Sequence, residues 1–228
     1  FIRKVLRTVL LQLCGMTTVS LLCSYFNAFK VLIGNSPVFY LSLLATIAFF
    51  VMMVWKEDLR KDAPMNHTYL LAGSISMITF YGSLSGWSGS ASCVTFIMAL
   101  NCGVAGLYLG SHLAKSSTNR EYLVRKLITG AFAGFVACII LMVFAMSSFK
   151  FKSKESTFVI TMLAFLLFVT YFGYVCVFVI LPGHASHQDD YIWGVIRLYI
   201  HVGIVVFTLT LILFAICKRK CCGGSDEE

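Results

Sequence analysis

Leu127-Ile128-Thr129-Gly130-Ala131-Phe132-Ala133-Gly134-Phe135-Val136-Ala137-Cys138-Ile139-Ile140-Leu141-Met142-Val143-Phe144-Ala145-Met146-Ser147-Ser148-Phe149 runs without a charge between Arg125-Lys126 and Lys150. A helix rises about 1.5 Å per residue, so the run is long enough to cross the roughly 30 Å hydrocarbon core of a bilayer. Backbone amides in lipid must be satisfied within the segment, which leaves the α-helix as its conformation. The run therefore predicts a transmembrane helix.

The same reading, carried outward, predicts seven spans, at residues 5–29, 38–55, 68–87, 91–112, 127–149, 158–181 and 191–217. The expected fold is an all-α integral membrane protein, a seven-transmembrane helix bundle. Residues 1–217 form its single domain and residues 218–228 a short polar tail. Composition points the same way, since 59% of the chain is hydrophobic and 12% charged, outside the usual range of soluble domains. The acidic residues Glu57, Asp58, Asp62, Glu121, Glu155, Asp189, Asp190, Asp226, Glu227 and Glu228 all lie in or beside polar breaks. The first run follows Arg3 and Lys4, exceeds the apolar core of a signal sequence and lacks a convincing small-residue cleavage site. It is expected to be the first span.

The net charge of +8 comes from lysines and arginines scattered over short breaks, without a basic face or a nucleic-acid-binding motif. The bilayer is the expected partner, and nucleic acid is not. With seven crossings, ten of these cations fall on the N-terminal side and seven on the other. If the last segment instead dips in and returns, the balance becomes thirteen to four. Both counts favour a cytosolic N-terminus.

Seven of the nine cysteines lie within or at the ends of apolar runs, where thiols act as small hydrophobes. Cys221 and Cys222 follow Lys218-Arg219-Lys220 and are candidates for palmitoylation, against the plainer reading of an unmodified tail. Glycines recur four apart at Gly82 and Gly86, Gly106 and Gly110, and Gly130 and Gly134. Such pairs let helix backbones approach closely, with packing inside one bundle favoured over a dimer interface. Asn66-His67-Thr68 is formally a glycosylation acceptor but abuts the third span on the side assigned to the cytosol, so it is expected to be unused.

His184, His187, Asp189 and Asp190 form the one dense cluster of potential metal ligands. Pro182-Gly183 marks a turn before them, and Asp189-Asp190 suits the first turn of a helix, so no metal is expected. No phosphate loop, nucleophile elbow or zinc-protease motif is present. The chain reads as neither an enzyme nor a cofactor protein. Arg197 and His201 stand out instead, since ionisable groups within a span are costly and carry function by default.

Three elements carry a family likeness. Phe1-Ile2-Arg3-Lys4-Val5, continuing to Leu10-Leu11-Gln12-Leu13, resembles the start of the first helix in the transmembrane Bax-inhibitor-motif family. Ala63-Pro64-Met65-Asn66 is similar to that family's Phe-Pro-Trp-Asn element, and Asp189-Asp190-Tyr191-Ile192, with Gly194 and Tyr199, to its Glu-Glu-Tyr-Ile opening of the last helix. The resemblance implies a seven-helix protein of endoplasmic reticulum, Golgi or other internal membranes that modulates cell death and calcium stores. It further implies an ion gate of two proton-sharing aspartates, with calcium and protons as partners. Their positions here are Val177 and His201.

Valine offers a cation no ligand, and histidine binds a proton without supplying negative charge. Arg197 and His201 share a helical face, where repulsion between two cations favours a neutral His201. Either they form a proton-responsive or anion-favouring constriction, or Arg197 snorkels to the interface while His201 bonds a neighbouring helix. The resemblance extends to divergent herpesvirus (cytomegalovirus) seven-transmembrane proteins. That implies the alternative role, a non-transporting immune-evasion protein that binds and redirects other membrane proteins. A seven-helix receptor is a third class, disfavoured by the short loops and the lack of rhodopsin-like helix motifs.

Overall fold

A computed structural model describes residues 1–56, 64–88, 91–114, 120–148, 155–180 and 191–201, and every regular element among them is helical. We label these α1 (Ile2–Tyr25), α2 (Asn27–Ile33), α3 (Ser36–Trp55), α4 (Met65–Ser88), α5 (Ala91–Leu113), α6 (Arg120–Ser148), α7 (Glu155–Tyr174) and α8 (191–201). A π-helical turn, Val175–Ile180, continues α7. Four helices among the described residues, Ile2–Tyr25, Ser36–Trp55, Val94–Leu113 and Glu121–Phe144, are long and apolar enough to cross a membrane. The chain is a membrane-embedded helical protein.

Burial sorts the helices by position. On α3 only Ser42 and Met53 are buried, while Leu41, Leu44 and Ile47 are exposed. A helix that is apolar all round and exposed faces lipid rather than a core. Its start is fixed locally, because the Asn35 side chain accepts a hydrogen bond from the Val38 amide at 3.1 Å and Pro37 occupies the first turn. On α5, Val94, Ile97, Ala99, Leu100, Val104 and Leu107 are all buried. This helix packs on α1, α6 and α7, while α4 lies between α1 and α3.

Glycine sets the closest of these contacts. A Cβ added to Gly130 would stand 2.6 Å from the Gly110 nitrogen and 2.7 Å from its Cα, and would overlap the Gly106 carbonyl. One added to Gly106 would stand 2.9 Å from the Gly134 Cα. The two pairs thus let α5 and α6 meet backbone to backbone. The third pair also faces its own chain, Gly82 against Val19 of α1 and Gly86 against Gly34.

The boundaries differ from the apolar runs in instructive ways. The first span was expected to continue to residue 29, but α1 stops at Phe26, which is extended at φ −111° and ψ 112°. The short α2 follows, and the chain turns at Gly34 against Gly86. Phe26, Phe29, Val31 and Leu32 stay exposed, so composition remains lipid-like across the break. At the other extreme α6 begins at Arg120, since charged residues extend a helix beyond the hydrocarbon without interrupting its hydrogen bonds. Of the last expected span, residues 191–201 are helical and residues 202–217 lie outside the described residues. So do the tail with Cys221 and Cys222, and His184, His187, Asp189 and Asp190.

Candidate functional site

The described parts of the first and last sequence elements noted above meet at one end of the bundle, beside His67, the neighbour of Asn66. The Tyr191 hydroxyl lies 2.9 Å from His67 Nε2, across 124 residues of sequence. Lys4 Nζ stands 5.9 Å from the centre of the Tyr191 ring. Gly194 lets α8 sit on the start of α1, for a Cβ there would come within 2.8 Å of the Phe1 ring and 2.9 Å of Val5. Arg3 Nε donates to the Ser111 carbonyl at 3.0 Å and so ties the end of α5 to the same corner. Cations and aromatic rings grouped at helix ends suit the bilayer interface, where rings sit at headgroup level.

Below this corner a chain of hydrogen bonds crosses the interior. The Tyr199 hydroxyl donates to Gln12 Oε1 at 2.7 Å, Gln12 Nε2 donates to the Ser74 hydroxyl at 2.6 Å, and that hydroxyl donates to the Leu70 carbonyl at 2.6 Å. Gln12 is buried, and Phe50 packs edge-on against Tyr199. Every member has a partner, so the chain locks α8 to α1 and α4 without strain from an orphaned polar group.

Val177 is 3% exposed and lines an apolar cavity of about 300 Å³ with Leu107, Leu127 and Ala131. The backbone carbonyl of His201 accepts from the Tyr171 hydroxyl at 3.4 Å. Arg197 lies 5.2 Å from the centre of the Trp193 ring, one turn back toward the start of α8, the direction in which a helical side chain naturally leans. Glu121, the one acidic residue whose side chain is described, is exposed. Among the described residues no three of His, Cys, Asp and Glu stand close enough to hold a metal.

A second polar group faces outward. Asn101 Nδ2 donates to the carbonyls of Leu13 at 3.0 Å and Ile97 at 3.2 Å and to the Thr17 hydroxyl, while Oδ1 takes the Cys14 thiol at 3.4 Å. Asn101, Cys14 and Thr17 line an open groove of about 440 Å³ between α1 and α5, with Cys14 and Thr18 exposed on its rim. Asn101, Ser74 and Gln12 carry no charge, so intramembrane charge does not single them out. The signal was available, because Gln12 and Asn101 are amides set in otherwise apolar runs.

No family model, curated protein or solved structure matches the chain.

Proposed function

We propose that this chain is a seven-span bundle of internal membranes, with a cytosolic N-terminus, that binds other membrane proteins and alters their traffic or turnover rather than conducting calcium. The observation that carries this reading is Val177, buried among apolar side chains where a leak of the Bax-inhibitor type needs a carboxylate. A bare cation in such surroundings is desolvated without compensation, which is prohibitive at the scale of several kcal/mol. The role then belongs to surfaces rather than to a conduit, and it needs neither catalysis nor a cofactor. Affinity capture combined with profiling of cell-surface proteins tests it. A reproducible partner whose surface level changes is expected, and the absence of both would overturn the reading.

A second reading, control of store calcium and cell death, is favoured by one specific feature. The Phe1–Val5 region, His67 beside Asn66, and Tyr191 with Gly194 come together in space. Calcium flux in proteoliposomes across pH separates the two. The partner-binding reading expects none from the parent, and flux from the parent would replace it with the second. His201→Asp, alone and with Val177→Asp, shows whether restoring the carboxylates opens a path.

A further inference from the structure

The groove between α1 and α5 is mostly apolar, with the Asn101 amide set into its lining. Leu13 and Thr17, which Asn101 contacts, lie in the middle of Ile2–Tyr25, and Asn101 lies in the middle of Val94–Leu113, so the groove sits at mid-depth in two membrane-length helices. Hydrocarbon chains carry no hydrogen-bond donor, and water is scarce there. The Asn101 carbonyl can accept two hydrogen bonds, and the donor it has is a thiol, among the weakest of side-chain donors. Its amide nitrogen, by contrast, is fully engaged with α1 and its own helix.

The described part of α8 does not cover this groove. Tyr199 and Ser74 meet α1 on the Gln12 face, and Leu10, Cys14 and Thr17 project from the opposite side of the same helix. Small side chains on the rim, Cys14, Thr18 and Ala105, leave room for another backbone to approach.

We propose that this groove docks a single transmembrane helix of a partner protein. The helix presents a hydroxyl or amide donor at mid-membrane depth to Asn101 Oδ1. This names the chemistry of the partner on the reading that the bundle binds membrane proteins. The donor completes the acceptor's coordination, and small residues beside it seat the partner against Cys14 and Thr18. Specificity follows from depth, since a donor one turn too high or low along the helix, about 5 Å, misses the carbonyl.

The test uses the full-length protein in vesicles with a leucine-alanine transmembrane peptide carrying one central glutamine, and its wholly apolar counterpart, at low peptide-to-lipid ratio. Energy transfer between labelled protein and peptide should show the glutamine peptide binding roughly five- to thirtyfold tighter, the ratio typical of such bonds between model helices. Asn101→Leu should abolish the preference. Because Asn101 also ties α5 to α1, a second variant, Thr18→Phe, keeps the amide and obstructs the groove, and it should weaken both peptides. Equal binding of the two peptides by the parent, or a preference that survives both substitutions, would overturn the proposal. Efficient Cys14-to-Cys14 crosslinking without peptide would also overturn it, by showing a second copy in the groove. Failure of the broader reading looks different, with the glutamine preference intact and no membrane protein captured from cells.

Discussion

Replacing Gly130 with alanine is the sharpest test of the α5–α6 contact. The new Cβ would stand 2.6 Å from the Gly110 nitrogen and closer still to the Gly106 carbonyl, whereas ordinary contact begins near 3.4 Å, so the helices must part locally by more than about 0.8 Å. The obstructing atoms are backbone on both sides and no rotamer change relieves them. Overpacking of this kind costs about 1–3 kcal/mol, and the upper end applies because the neighbouring Gly106–Gly134 contact loosens as well. Alanine returns about 1 kcal/mol through helix propensity, leaving a net loss of about 2 kcal/mol. For a chain of this size that corresponds to a Tm lower by roughly 4–8 °C.

Melting of the detergent-solubilised protein, followed by fluorescence-detected size exclusion after heating, provides the assay. Two internal controls come from the same bundle. A Cβ at Gly73 meets Phe49 Cβ at 3.5 Å and one at Gly173 meets Leu107 at 3.7 Å, both ordinary contacts. Gly73→Ala and Gly173→Ala should leave the Tm unchanged or raise it slightly. If Gly130→Ala melts with these two, the helices do not meet through glycine and the reasoning is wrong.

Tyr199→Phe removes one interhelical hydrogen bond and should cost about 0.5–1.5 kcal/mol, while Gln12→Leu removes two and strands the Tyr199 hydroxyl, costing about 2–3 kcal/mol. Equal melting of the two variants would contradict the connected chain. Cys102 of α5 and Cys138 of α6 are both buried and line one small pocket. Mild oxidation should therefore give an intramolecular Cys102–Cys138 disulfide by peptide mapping, and scrambled pairing in its place would refute this register of α5 on α6. A double-mutant cycle of His67→Ala and Tyr191→Phe should show a coupling of about 0.5–1 kcal/mol, the usual net value of a hydrogen bond. Additive losses would separate the start of α4 from the start of α8.

Helix positions were legible because apolar runs in lipid leave one backbone conformation. The break at Phe26 was not, because the run stays apolar on both sides of it, and the turn that follows at Gly34 meets Gly86, 52 residues away, a contact that local hydropathy does not register. Tyr191, Gly194 and Lys4 belonged to the quoted elements and meet in space. Arg197 and His201 were chosen for their charge, with a snorkelling arginine and a hydrogen-bonded histidine as the plainer alternative. Arg197 engages Trp193, a cation and ring on successive turns, which spacing permits and intramembrane charge alone does not reveal. Asn101 was overlooked for the opposite reason, since an uncharged amide is quiet in a charge count and expensive in hydrocarbon.

The makeup of α4 bears on how this protein is made. Met65–Ser88 is as long as α1, yet it is not among the four helices apolar enough to cross a membrane on composition. Its Ser74, Ser76 and Thr79 hydroxyls fold back onto the carbonyls of Leu70, Ala72 and Ile75, and its flanks lie against α1 and α3. A nascent segment of this kind partitions weakly from the translocon by itself. The two helices that shelter it are both synthesised earlier, so α4 leaves the translocon into a waiting protein cradle, and the order of the genes' codons becomes the order of assembly.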